Sequence, residues 1–205
     1  MLIAIDGPAG AGKSTVARAV ARALGFEFLD SGAMYRAAAL AALRGDDPTR
    51  VQVTLGERVL LGDEDVTDEI RTPEVTDMAS KVSADPAVRE ALVDRQREII
   101  AAGDHVAEGR DIGTVVWPQA ELKVFLTATP EERARRRALE LAGQGASVDQ
   151  AAILADILRR DERDRNRSVA PLMPAPDAHL LDTTRMDVDA VVRAAVAIVE
   201  GHRPR

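Results

Sequence analysis

Gly7-Pro8-Ala9-Gly10-Ala11-Gly12-Lys13-Ser14 is where the residue types and spacing of this chain most plainly do chemistry, because it fits G-x-x-x-x-G-K-[ST]. Glycines at that spacing let successive backbone N–H groups turn onto phosphate oxygens with no Cβ in the way. A helix starting at the end of the loop adds its N-terminus, equivalent to about half a positive charge. Lys13 is the group that reaches β- and γ-phosphates, and the Ser14 hydroxyl is the one that ligates Mg²⁺. Gly7, Pro8, Ala9, Gly10, Ala11, Gly12, Lys13, Ser14 and Thr15 therefore predict a nucleoside triphosphate site, with ATP as ligand and Ser14 on the metal. The flanks supply the context the motif needs. Leu2-Ile3-Ala4-Ile5-Asp6 is an apolar run of strand length, and residues 15–24 form an Ala-rich helical segment stopped by Gly25.

Two further segments gather cations: Arg133-Ala134-Arg135-Arg136-Arg137, and Arg159-Arg160-Asp161-Glu162-Arg163-Asp164-Arg165-Asn166-Arg167. A turn over residues 141–147 separates them, which predicts a helical hairpin. As a solvated face laced with i,i+4 ion pairs, the hairpin would gain only about 0.2–0.5 kcal/mol per pair. As a lid it would do far more, since arginines that close over a triphosphate are worth roughly 10³–10⁵ in rate. Arg160, Asp164 and Arg167 fall at i, i+4 and i+7, one face of a helix. A phosphate-binding loop demands such a cover, and this hairpin is its only supply in the chain. Asp30-Ser31-Gly32-Ala33-Met34-Tyr35-Arg36 is open to two assignments. Asp30 or Ser31 caps a helix running to about residue 43, or the loop sits at the carboxyl end of a strand, where α/β sheets bind ligands, and aims Arg36 at a second phosphate.

Composition narrows the class. The chain has 205 residues, a net charge of -7, 46% hydrophobic residues and 2% aromatics, so its core is built from Ala, Leu, Val and Ile. With no cysteine there is no disulfide, thiol nucleophile or cysteine–metal site. The negative balance argues against a nucleic-acid polymer as partner. No stretch is long enough to cross a bilayer, and the first strand begins too early to leave room for a signal peptide, which predicts a cytoplasmic protein without membrane contact. Lysines are only Lys13, Lys81 and Lys123, so the basic charge is nearly all arginine, whose planar fork suits small phosphate anions.

The positioning elements follow in order. Strands are expected at residues 2–6, 26–30, 105–108, 122–127 and 178–182, each feeding a helix, which makes five βα units and a doubly wound parallel sheet. Gly45-Asp46-Asp47-Pro48 interrupts that pattern. Beyond it come two short β-like runs at 51–55 and 58–61, then a polar segment over 62–72, together resembling an insert of the kind that forms substrate flaps. Helices are expected at 73–82, 85–102, from Thr129-Pro130-Glu131-Glu132 onward, and at 188–199. His105, His179 and His202, like Trp117, suggest no site.

With these residues assembled, the chain resembles the bacterial cytidylate (CMP) kinases of the nucleoside monophosphate kinase family of P-loop NTPases. The carriers are the loop at Gly7 to Thr15, Asp30-Ser31-Gly32-Ala33-Met34-Tyr35-Arg36, Gly109-Arg110-Asp111-Ile112-Gly113-Thr114, and the run from Arg160 through Pro171-Leu172-Met173-Pro174-Ala175. The resemblance implies transfer of the γ-phosphoryl group of ATP to CMP or dCMP with Mg²⁺, in pyrimidine nucleotide metabolism. It implies a P-loop α/β core over 1–45 and 78–205 with a five-stranded parallel sheet, an NMP-binding insert over 46–77, and an arginine-bearing helical lid over 133–167. Carried onto matching positions, Ser31, Arg36 and Arg110 hold the CMP phosphate, and Arg160 and Asp164 engage the sugar. Arg167 lies near the acceptor, Arg136 reaches the ATP phosphates, and Ser80, Arg89 and Asp111 read the base. Lys13, Arg36, Arg110, Arg136 and Arg167 make the catalytic set, and Glu108 or Asp111 joins Ser14 at the metal, through water. The base-reading set is chemically apt, because a carboxylate accepts from the cytosine amino group while an arginine donates to the ring acceptors. Asp111 is equally open to an ion pair with a neighbouring arginine. A monomer acting on small molecules is expected. The rivals are a sister kinase for AMP, UMP, dTMP or shikimate, and a nucleotide switch, the latter lacking an Asn-Lys-x-Asp motif.

Overall fold

The computed structural model describes residues 1–143 and 148–202, so residues 144–147 of the expected hairpin turn lie outside the described residues. Strand β1 (Leu2–Asp6) is buried along its whole length. Leu2 and Ala4 enter one apolar cluster, while Ile3 and Ile5 enter a second on the opposite face. That alternation with both faces covered is what a central strand of a parallel sheet requires. Its neighbours are β6 (His105–Gly109) on one side and β7 (Leu122–Thr127) on the other. The sheet is completed by β2 (Glu27–Asp30) beyond β6 and β8 (His179–Asp182) beyond β7, every pairing parallel, in the order β2-β6-β1-β7-β8. The five expected sheet strands are these five.

Helix α1 (Lys13–Leu24) follows β1 and ends on Gly25 in the left-handed conformation. Helix α2 (Ser31–Arg44) follows β2. Val16 and Val20 of α1 belong to one core cluster, and Met34 and Leu40 of α2 to the other, so the two helices cover opposite faces of the sheet. Buried Ala37, Ala38, Ala39 and Ala41 let α2 pack closely without aromatic bulk. Helices α3 (Pro73–Val82) and α4 (Pro86–Ala101) add to the α2 side, whereas α7 (Val188–His202) covers the α1 side. Helices α5 (Pro130–Gly143) and α6 (Gln150–Arg165) pack on each other as the hairpin.

Two parts depart from the sequence pattern. Between α2 and α3 the runs at 51–55 and 58–61 shrink to β3 (Val53–Thr54) and β4 (Leu60–Leu61), and a third strand, β5 (Glu64–Asp65), forms inside the segment read as merely polar. Leu61 pairs with Glu64 across a two-residue loop, with Gly62 at φ +60°, which is hairpin turn chemistry overlooked because both its residues are polar or small. After β6, moreover, the expected helix is missing. A π-helical turn (Ile112–Val116) takes its place, pinned by the Asp6 carboxylate, which accepts from the N–H groups of Ile112 at 2.9 Å and Gly113 at 2.8 Å. The sheet therefore has four strands with helices after them, and one whose exit loop is tied to the end of β1.

Gly7, the first residue beyond β1, lies so close to β7 that a Cβ there would sit 2.1 Å from the Leu126 carbonyl oxygen. Gly7→Ala is expected to lower the unfolding free energy by about 2 kcal/mol or more, read from the urea midpoint. An unchanged midpoint would mean that β1 and β7 are not held this close.

Candidate active site

The loop after β1 brings Lys13 into the first turn of α1 as a buried cation whose Nζ donates to the Pro8 carbonyl at 2.9 Å. Burial pushes its pKa down to about 7, and nearby Arg110 adds to the effect, against Glu108, Asp6 and Asp164. Ser14 stands beside it, exposed. At the end of β1, burial raises the Asp6 carboxyl to about 6, although the two N–H groups it holds pull the other way. Burial also raises Glu108, near the end of β6, with Asp30 adding and Lys13 opposing. The Glu108 Oε1 has no hydrogen-bond partner.

The end of β2 supplies a second group. Asp30 is the N-cap of α2, accepting from the Ala33 N–H at 2.8 Å, and Arg36 one turn on reaches back to it at 3.3 Å. The cap assignment is thus what the structure shows, with Arg36 drawn back to the same carboxylate. The Ser31 hydroxyl donates to the Glu108 carbonyl at 2.7 Å, locking α2 to β6. Arg36 Nε is buried without a partner.

From the other side, α6 brings Asp164, which accepts from Arg110 Nε at 3.0 Å. Burial would raise this carboxyl, but Arg110 and Arg167 outweigh it and hold it below its ordinary value. Arg160 is shifted down by burial and by repulsion from Arg110 and Arg36. Arg167 lies past the end of α6 rather than on its face, as the i+7 spacing had suggested, because the helix stops at Arg165 with Asn166 as its C-cap. It is nevertheless drawn back into the cluster. Its Nε donates to the Asp164 carbonyl at 3.4 Å and its Nη1 to the Ser83 carbonyl at 3.5 Å, leaving Nη2 buried and unpartnered.

Adjacent to Arg167 is a drier compartment. Arg89 of α4 forms a buried ion pair with Asp111 and donates to the Tyr35 hydroxyl at 3.3 Å. Burial lifts the Tyr35 phenol to about 12, so it is neutral. Ser80 of α3 is buried with its Oγ unpartnered. Tyr35 and Gln96, the latter buried with both amide atoms unpartnered, join this compartment without having been assigned a role from sequence. Gln96 sits seven residues beyond Arg89 on α4, a spacing that places the two on one face and was the available signal.

Arg136 is held apart from this cluster. Its Nε donates to Glu132 at 2.8 Å, and its terminal nitrogens reach the Thr183 hydroxyl at 2.9 Å and carbonyl at 2.6 Å. It borders the phosphate loop, since a Cβ on Gly12 would lie 4.0 Å from its Nη1. Arg135 and Arg137 pair with Glu132 and Glu140 on the surface, as a solvated face would. Sequence reasoning did not separate these arginines from Arg133, which is fully buried. No signal short of the packing itself distinguishes it.

The metal question turns on donors. Among the described residues no group of three or more His, Asp or Glu side chains could hold an ion. Mg²⁺ asks for less, keeping several waters and using one or two protein oxygens beside substrate phosphates. Ser14 and the unpartnered Glu108 Oε1 fit that demand. Asp111, the other candidate from sequence, is paired with Arg89 through one of its oxygens.

The sequence profile of the cytidylate kinase family matches residues 3–201. A cytidylate kinase of Pseudomonas aeruginosa is 52% identical over 213 aligned positions, covering 95% of this chain and 93% of its own. One from Pelotomaculum thermopropionicum is 51% identical, covering 98% and 96%. Among solved structures, a shikimate kinase from Bacteroides thetaiotaomicron superposes with a TM-score of 0.54 at 13% identity, covering 98% of each chain. A gluconokinase from Sinorhizobium meliloti gives 0.51 at 18% identity, covering 97% of this chain and 91% of its own. Those two share the fold alone, that of a P-loop α/β kinase. The profile match and the near-complete relatives carry the closer conclusion: this chain belongs to the cytidylate kinase family.

Proposed function

We propose that this protein transfers the γ-phosphoryl group of ATP to CMP and dCMP, releasing ADP and CDP or dCDP. The observation that carries the proposal is the gathering of Lys13, Arg36, Arg110, Arg160 and Arg167 around one region, where burial lowers the pKa values of Lys13, Arg160 and Arg167 and repulsion from neighbouring arginines adds to it. A cluster of that kind is relieved by two polyanions facing each other.

In this scheme the loop amides and Lys13 hold the β- and γ-phosphates of ATP. Arg36 and Arg110 hold the acceptor phosphate against the repulsion between the two anions, with Ser31 beside them. Arg160 and Asp164 take the sugar, and Arg167 spans the acceptor and the transferred group. The acceptor phosphate is largely ionised at neutral pH, so no general base is needed, and the work is positioning and charge stabilisation. Ser14, with Glu108 through water, would hold Mg²⁺, which would supply charge neutralisation on the transferring phosphates. Asp111 accepts from the cytosine amino group, Arg89 donates to the ring acceptors, and Ser80 offers its unpaired hydroxyl. Uracil would set an oxygen against the Asp111 carboxylate, two acceptors face to face. The element over 46–77 serves as the acceptor-side flap and the hairpin over 133–167 as the lid, with Arg136 freed from Thr183 to reach ATP on closure. The protein acts as a monomer in this scheme, and the nucleotides it consumes suit a cytoplasmic enzyme.

With ATP and Mg²⁺, CMP and dCMP are expected to be turned over at least about 10²-fold more efficiently than UMP or AMP. Equal use of AMP would overturn the assignment. Arg36→Ala is expected to lower kcat/KM for CMP by about 10²-fold or more while ATP binding is unchanged, and wild-type kinetics toward CMP would contradict its role at the acceptor. A third outcome follows from Lys13. Its lowered pKa, about 7, leaves it mostly neutral at pH 8. An adjacent triphosphate raises that pKa, so ATP binding at pH 8 should take up between about half a proton and one proton, and affinity should fall as pH rises further. Calorimetry in buffers of different ionisation heat measures this, and zero uptake would mean that Lys13 is already charged.

A further inference from the structure

Arg133 is fully buried, yet it lies in a run whose other arginines face solvent or Thr183. Its guanidinium reaches three parts of the molecule at once. Nε donates to the Ala128 carbonyl, just past the end of β7, at 2.9 Å. Nη1 donates to the Ala9 carbonyl, inside the phosphate loop, at 3.0 Å. The two terminal nitrogens also grip the Asp161 carboxylate in a fork, at 3.0 and 2.6 Å, and that carboxylate is as buried as its partner. The loop rests on the same side chain, since a Cβ on Gly10 would come within 3.2 Å of the Arg133 Cβ. Asp161 in turn stands on α6 between Arg160 and Asp164, and Asp164 is the residue that holds Arg110 at 3.0 Å.

A continuous line of contacts therefore runs from the ATP loop, through Arg133 and Asp161, into the helix that faces the acceptor. Every link is a hydrogen bond with fixed direction, and two of them form a planar fork that resists rotation. A lone surface pair would give way. A fully buried pair keeps its geometry, because either charge left without the other in that environment is strongly disfavoured. We infer that the Arg133–Asp161 pair, tethered to the Ala9 carbonyl, couples the two substrate sites, so that filling the phosphate loop sets the position of α6 and raises affinity for the acceptor. Arg133 and Asp161 are positioning residues in this account, touching neither nucleotide. The inference rests on the proposed function, and linkage requires it to work equally in reverse, with acceptor binding tightening ATP by the same factor.

The test separates the tether from the charge. In Arg133→Lys a cation remains for Asp161, but a single ammonium lacks the fork and cannot hold Asp161, Ala9 and Ala128 together. CMP affinity is measured by calorimetry with and without a non-hydrolysable ATP analogue and Mg²⁺. For the wild type, the analogue is expected to tighten CMP by about tenfold, within the usual range for coupled sites. In Arg133→Lys the factor should fall to about twofold or less, with each ligand alone binding within about threefold of wild type. Should that variant misfold, Arg133→Met combined with Asp161→Leu replaces the pair by apolar side chains of similar size, a change that buried ion pairs often tolerate. It should fold and show the same loss of coupling. A folded variant that keeps the wild-type factor, or a wild type with no coupling at all, overturns the inference. If CMP does not bind the wild-type protein under any condition, the acceptor assignment has failed instead.

Discussion

Several cations share one poorly hydrated space, and the rest of the site answers to that crowding. Lys13 and Arg160 both feel Arg110, and Arg167 feels Arg89 and Arg110, with burial removing the water that would otherwise screen them. The carboxylates nearby balance less charge than their number suggests. Burial moves Asp6 and Glu108 toward their protonated forms, and Asp111 is committed to Arg89. A chain whose net charge is -7 thus keeps a local excess of positive charge. Unpaired buried cations are disfavoured by several kcal/mol each, at the order of magnitude typical of protein interiors. Bound phosphates remove that disfavour, so stability and ligand affinity share a cause.

The sheet makes this crowding sustainable. Because α1 leaves β1 on one face and α2 leaves β2 on the other, both helices start at the carboxyl edge of the sheet, the edge where open α/β sheets receive ligands. Each strand end is then fastened to its neighbour by a short polar contact. Asp6 holds the turn after β6, Ser31 holds the Glu108 carbonyl, and Asp30 both caps α2 and steadies Arg36. The Asp6 and Ser31 contacts join parts distant in sequence, while Asp30 acts within its own helix start, and together they keep the cations from swinging apart into solvent. From the hairpin, Arg133 closes the arrangement on the side of the phosphate loop.

Much of this was legible in the chain itself. The loop from Gly7 to Ser14 announces its chemistry by spacing, and the strands announce themselves by apolar runs that need both faces covered. Asp30 could be named as a cap because capping is a local transaction. What escaped is non-local. Arg133 and Arg136 differ by three positions in one arginine run, yet one is sealed against Asp161, 28 residues on, and the other reaches Thr183, 47 residues on. The turn after β6 is not a helix because of Asp6, more than a hundred residues earlier in the chain. Arg167 joins the site although its helix has ended, held by backbone carbonyls that no pattern of side chains encodes. Strand β5 was the exception, since the Gly62-Asp63 loop was a local signal that went unread.

A crystal structure of the protein with CMP and a non-hydrolysable ATP analogue tests the central claim most directly. The account predicts two phosphate chains facing each other, with Lys13 on the donor, Arg36 and Arg110 within hydrogen-bond distance of the acceptor phosphate, and Arg160 and Arg167 closing around them. Nucleotides bound elsewhere, with those arginines still paired to Asp30 and Asp164 or turned to bulk water, would contradict it.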